Sequence, residues 1–127
     1  MCGIAGIIML DGSTPDHSRL AEMTRAVAHR GPDGEGLQIV DAVGFGHRRL
    51  AIIDTSTDGR QPMRSGDGSV RITFNGEIYN YLELRAELTS LGHNFRTKSD
   101  TEVLLVAYMQ WGQRSVDRLN GMWAFAI

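Results

Sequence analysis

The sequence predicts an α+β domain whose strands pair mainly antiparallel. Short apolar runs of strand length recur between turn residues such as Asp11-Gly12 and Ser65–Ser69, as in hairpin-connected strands. Stretches with apolar residues at helical spacing fall between them, in the order strands, helix, strands, helices, strand. No internal repeat, low-complexity tract or linker interrupts the 127 residues. They are read as one domain, long enough to bury a core.

In chain order, Cys2 to Met9 has the apolar content of a strand, closed by the Asp11-Gly12 turn. Thr14 followed by Pro15 suits an N-cap and first helical position, and Leu20, Met23 and Val27 carry the helix to about His29. The breaker-rich Arg30–Gly36 is expected to be a loop. Strands are expected at Leu37–Val40 and Val43–Ile53, the second with the buried run Leu50–Ile53. A polar loop spans Thr55–Pro62, and a turn at Ser65–Ser69 leads into a strand over Val70–Asn75. Asn80 then caps a helix bearing Leu84, Leu88 and Leu91, which Gly92 ends. Phe95–Thr97 is short and extended. Ser99–Glu102 has capping-box spacing before a helix over Val103–Trp111, stopped by Gly112. The chain finishes in Met122–Ile127, which reads as a buried strand.

Composition excludes several functions. Hydrophobic residues at 42%, charged residues at 22% and a net charge of −2 describe an ordinary soluble domain without a nucleic-acid or membrane-surface footprint. A single cysteine cannot form an internal disulfide, which points to a reducing cytosol. No apolar run reaches a membrane span and no signal peptide is evident. The four histidines and one cysteine lack zinc-site spacing. Accordingly, no metal is expected on this chain.

The position of that cysteine is unusual. Chain ends fray unless something ties them down, yet Cys2 directly precedes a strand. Removal of Met1 would give one residue both a thiol and an α-amine, whose ordinary pKa of about 7.7–8.0 suits proton transfer near neutral pH. Such a residue needs no catalytic histidine, and the four histidines show no pairing with it. On its own a lone cysteine is more often an inert buried residue.

The ordered motifs MCGIAG (1–6), HRGPDG (29–34), HRRLAIID (47–54), QP (61–62), FNGEIYN (74–80), SDTE (99–102) and GMWAFAI (121–127) resemble, across the whole chain, the glutaminase domain of class II glutamine amidotransferases. The asparagine synthetase branch is the nearest. The resemblance implies an N-terminal-nucleophile hydrolase fold, two antiparallel sheets sandwiched between helical layers. It implies cleavage of the glutamine side-chain amide through a glutamyl thioester, releasing ammonia and glutamate. Carried over by position, Cys2 is the nucleophile, and the Asn75 side-chain amide with the Gly76 N–H forms an oxyanion hole. Two neutral donors at one point suit that task, although Asn-Gly alone also reads as a strand-ending turn. Arg49 would hold the substrate carboxylate, where a planar guanidinium can bind both oxygens. Its neighbour Arg48 faces the other side of the strand as a solvated charge. Glu77 and Asp100 would hold the ammonium group, Asp100 also suiting a helix N-terminus. The Arg30–Asp33 loop is read as packing around the chain terminus, and His29 and His47 receive no catalytic role.

The resemblance also implies what lies elsewhere. An asparagine synthetase carries an ATP-pyrophosphatase domain with its own phosphate loop, which SGDGS (65–69) does not match. G-F-G at Gly44 is likewise no dinucleotide fingerprint. ATP and magnesium are therefore expected only on a separate synthetase domain or acceptor-bearing partner, and the glutaminase domain itself is expected to continue beyond Ile127. Two alternatives stay open: a catalytically silent truncated domain acting as a binding or structural module, with possible self-association through its cut sheet edge, or an amidotransferase for another acceptor.

Overall fold

A computed structural model describes all 127 residues. Six strands form two three-stranded antiparallel sheets, flanked by three α-helices. The first sheet joins β1 (Gly3–Ile8), β3 (Val43–Arg49) and β2 (Gly34–Val40), with β3 central. The second joins β4 (Met63–Arg64), β5 (Arg71–Ile78) and β6 (Gly121–Ala126), with β5 central. Helix α1 (His17–Ala26) lies on the first sheet, while α2 (Tyr81–Ser90) and α3 (Asp100–Trp111) pack together, with α3 against β5. This is the expected arrangement of two sheets between helical layers.

Side-chain alternation along β5 divides the interior. Ile72, Phe74 and Ile78 enter the main core with Leu84 and Leu88 of α2 and Val103–Ala107 of α3. The odd-numbered residues face the first sheet: the Thr73 hydroxyl donates to the Gly46 carbonyl at 3.3 Å. His47 bridges the same gap from the other side, its Nε2 lying 3.2 Å from the Phe74 carbonyl. On the outer face of the first sheet, a Cβ at Gly46 would fall 2.0 Å from the Thr24 hydroxyl of α1. The G-F-G stretch thus serves close helix–sheet packing.

Several boundaries differ from expectation, each for a local reason. Asp16 caps α1, its carboxylate accepting from the Arg19 N–H at 2.7 Å. The stretch Leu50–Ile53 is a loop, because the Leu50 and Ala51 amides bond to side chains of Cys2 and Asp33 rather than to a strand. Phe95–Thr97 forms no strand; the buried Glu102 carboxylate gathers the Arg96 and Thr97 amides and the Thr97 hydroxyl instead of closing a capping box. Ser99 still caps α3 by accepting from the Glu102 N–H. Asn80 leaves its helix uncapped and ties to Asn120 and Arg118. Gly92, at φ +95°, closes α2 with its own N–H and that of His93 satisfying the last carbonyls. Strand β5 runs on through Ile78, so FNGEI is strand interior and not a turn. Finally, β6 is a strand but not a buried one: it is an edge, with Met122 and Trp123 50% and 39% exposed. No helix is long and apolar enough to cross a membrane.

Burial holds the His47 imidazole down at about 4, and the nearby Arg49 charge acts in the same direction. The ring is neutral at pH 7, so Nε2 carries the proton that it donates to the Phe74 carbonyl. The unfolded chain takes up a proton near pH 6.5 and the folded chain only near 4. Stability from this group is therefore full above pH 6.5 and falls as pH drops toward 4, by up to about 3 kcal/mol. Urea unfolding at stepped pH checks this: His47→Gln, which keeps an amide donor, should flatten the decline between pH 6.5 and 4. An unchanged decline would place the acid sensitivity elsewhere.

Candidate active site

Antiparallel register sets Gly3 of β1 opposite Arg48 of β3. Cys2, one residue earlier, is thereby carried to the Arg49–Leu50 end of β3. Its half-buried thiol meets the Leu50 backbone, 3.4 Å from the amide and 3.6 Å from the carbonyl. Arg30 holds the Cys2 carbonyl at 3.0 Å. The terminus is thus fastened by a sheet, a guanidinium and a loop. Arg48 is part of this fastening and not a solvated charge: its side chain is 17% exposed, pairs with Glu35 at 2.6 Å and donates to the Gly31 carbonyl. Asp33 completes the collar by accepting from Ala51 at 2.9 Å.

The thiol opens on a cleft whose walls include Met1, Arg49, Gly76, Glu77 and Asp100. Five of the six residues carried over from the sequence therefore meet in one place. Asn75 is the sixth and is not part of the cleft wall. Its side chain projects from β5 toward the first sheet, the side that carries Cys2, and its Oδ1 is buried without a partner. Buried amide oxygens are seldom left unpaired.

The edge of β5 explains the cleft. In an antiparallel ladder, alternate residues direct their N–H and C=O groups to opposite sides. Tyr79 bonds toward β6, so Ile72, Phe74, Gly76 and Ile78 direct theirs away from it. Strand β4 covers this edge only at Arg71 and Ile72. Beyond it, side chains take over. The Phe74 N–H donates to Gln61 Oε1 at 2.6 Å, its carbonyl receives His47, and the Ile78 N–H donates to Asp100 Oδ2 at 3.1 Å. Gly76 lies between these clamps with its N–H directed at the cleft. A Cβ here would fall 2.4 Å from the Met122 carbonyl of β6, which restricts the position to glycine.

The electrostatics are split. Arg49 approaches from the rim, donating to the carbonyls of Ser56, at 2.7 Å, and Asp54; its remaining N–H donors are available to a carboxylate. Asp54 orders this rim by accepting from Ser56 and Lys98. Opposite, burial pushes the Asp100 carboxyl up, and the charge of Glu77 pushes it the same way. A cation between two such carboxylates would relieve both effects. The cleft thus offers a thiol, an open N–H, a guanidinium and paired acids, a set matched to an α-amino acid with an acyl group in its side chain. No group of three or more His, Cys, Asp or Glu side chains could hold a metal ion.

The Arg30–Asp33 loop packs around the chain terminus as expected, whereas motif assignment alone does not show Gln61, Arg48 and His47 as parts of this architecture. The motifs containing them were visible, but their work is long-range bonding that spacing does not reveal.

Comparison with known proteins agrees with the geometry. A family model described as a glutamine amidotransferase domain matches residues 1–127. Asparagine synthetase [glutamine-hydrolyzing] 1 of Bacillus subtilis is 45% identical over 130 residues, covering 100% of this chain and 20% of that protein. Asparagine synthetase [glutamine-hydrolyzing] 2 of Oryza sativa subsp. japonica is 44% identical over 128 residues, covering 100% of this chain and 21% of that protein. The chain thus spans about a fifth of the length of these relatives. A solved glutamine phosphoribosylpyrophosphate amidotransferase from B. subtilis superposes with a TM-score of 0.79 at 24% identity, over 96% of this chain and 34% of that one. That likeness is one of fold.

Proposed function

The chain belongs to the glutamine amidotransferase domain family, and from that premise we propose that it is the glutaminase part of an asparagine synthetase. The observation that carries this is the convergence of Cys2, Arg49, Gly76, Glu77 and Asp100 on one cleft. Glutamine would bind with its α-carboxylate on Arg49 and its ammonium group between Glu77 and Asp100, extending its amide to the thiol. With Met1 removed, the Cys2 α-amine takes the thiol proton and Sγ attacks the amide carbon. The oxyanion is held by two donors, the Gly76 N–H and the Nδ2–H of the Asn75 amide. Collapse returns the proton to the leaving nitrogen, expels ammonia and leaves a γ-glutamyl thioester. Water then cleaves the thioester to glutamate and restores the thiol.

The names of the relatives support aspartate as the acceptor of the ammonia, in a synthetase portion where ATP and magnesium would act. No step of glutamine cleavage on this chain needs either. A reactive thiol is kept reduced in the cytosol, where we place the protein. We further propose that the exposed β6 edge makes the 127-residue chain self-associate in isolation. Light scattering should show oligomers that Trp123→Lys reduces; a wild-type monomer at all concentrations would refute this.

Cys2→Ala should abolish ammonia release from glutamine with an unchanged circular dichroism spectrum, and intact mass of active protein should show Met1 absent. Ammonia release at the wild-type rate by Cys2→Ala would refute the assignment, as would activity with Met1 retained. The two neighbouring arginines should separate cleanly. Arg49→Ala should raise KM for glutamine about 30-fold, the loss of one charge-assisted contact of about 2 kcal/mol, whereas Arg48→Ala should chiefly lower the melting temperature. Equal effects on KM would contradict the geometry.

A further inference from the structure

We propose that Gln61 is a positioning residue for glutamine cleavage, tying the strand that carries Gly76 to the helix end that carries Asp100. This rests on the glutaminase reading above.

The pairing of β4 with β5 sets Met63 opposite Ile72. Continued two residues, that register puts Gln61 opposite Phe74, where a backbone bridge would exchange two hydrogen bonds. The Gln61 backbone does not supply them; its carbonyl lies against Gly36 of β2, 1.9 Å from where a Cβ would be. The missing bridge is assembled from side chains. Gln61 Oε1 accepts from the Phe74 N–H at 2.6 Å, and His47 Nε2 donates to the Phe74 carbonyl at 3.2 Å. The other end of the Gln61 amide donates to the Thr101 hydroxyl at 3.2 Å. Thr101 adjoins Asp100, and Asp100 accepts from the Ile78 N–H at 3.1 Å.

A closed ring results: Phe74, Gln61, Thr101, Asp100, Ile78, and back along the strand through Gly76. Gln61 is 8% exposed, so the ring is shielded from competing water, where hydrogen bonds hold geometry best. Ammonium-binding carboxylate and oxyanion-binding amide sit on different elements, and Gln61 joins the two from a third segment, on the far side of Gly76 from the direct Ile78–Asp100 bond. Its orientation is dictated, since the acceptor end must face an N–H and the donor end a hydroxyl oxygen.

The test uses Met1-free chain and a diazoketone analogue of glutamine, whose protonated diazo carbon loses dinitrogen as the Cys2 thiolate bonds to it. Iodoacetamide is the control for thiol reactivity. Gln61→Met keeps the volume and removes both hydrogen bonds. It should lower the maximal labelling rate about tenfold and raise the half-saturating analogue concentration, with iodoacetamide alkylation unchanged. Thr101→Val breaks only the Asp100 side of the ring and should raise half-saturation while sparing the maximal rate. Gln61→Glu, whose oxygens can accept from both Phe74 and Thr101, should recover the maximal rate. Should Gln61→Met fail to fold, the last two variants decide. Variants that label like wild type, or whose alkylation falls in parallel with analogue labelling, would overturn the role of Gln61 alone. Wild-type chain alkylated by iodoacetamide but ignored by the analogue would overturn the glutaminase reading, and this role with it.

Discussion

The peptide of Phe74 is held by two side chains where a strand would ordinarily hold it, and much of the molecule follows from that substitution. A third backbone partner along β5 would close the sheet edge and bury the Gly76 amide in a ladder. Gln61 and His47 instead satisfy Phe74 alone, and the next outward-facing N–H opens on the cleft. An unpaired backbone donor in a partly buried place costs stability. The ladder to β6 on one side and the clamps at Phe74 and Ile78 on the other hold that donor in place. The same His47 contact stitches the two sheets together, so the site and the layering depend on one another. The neutrality of that histidine belongs to the arrangement, because a charged ring would have to be buried between the sheets.

A second constraint concerns the chain terminus. A nucleophile at the second residue is useful only if the backbone behind it does not fray. Pairing of β1 with the central strand of its sheet supplies the backbone part of the restraint. Arg30 and Arg48 supply the rest through carbonyls of Cys2 and Gly31. Basic residues near the site thus divide between architecture and binding: Arg30 and Arg48 bond to the terminus and its collar, whereas Arg49 reaches the rim of the cleft.

How much of this could be read in the sequence follows from the range of the interactions involved. The α+β layering was legible because hydrophobic periodicity and turn residues are local signals. The helix stops at Gly92 and Gly112 were legible for the same reason, both having positive φ. Cys2, Arg49, Gly76, Glu77 and Asp100 were found through ordered motifs, and they do share a cleft. Periodicity failed at Leu50–Ile53, where an apolar run that suits a strand serves as a cleft wall. It failed again at Glu102, whose capping-box spacing is right but whose carboxylate satisfies a different set of amides. The bonding of Arg48 is not legible in the sequence, because nothing local reveals that Glu35 and Gly31 lie beside it. Gln61 was visible only as half of a QP pair; its partners are 13 and 40 residues away in sequence.

In the proposed reaction, the Gly76 N–H left open by the clamp at Phe74 is the donor that meets the reacting amide oxygen. A crystal structure of Met1-free chain carrying the diazoketone adduct on Cys2 tests it most directly. The ketone oxygen should lie about 2.9 Å from the Gly76 nitrogen, with the adduct's amino group between Glu77 and Asp100. A ketone oxygen bonded instead to the Leu50 amide, which already faces the thiol, with Gly76 engaged by another backbone group, would contradict it.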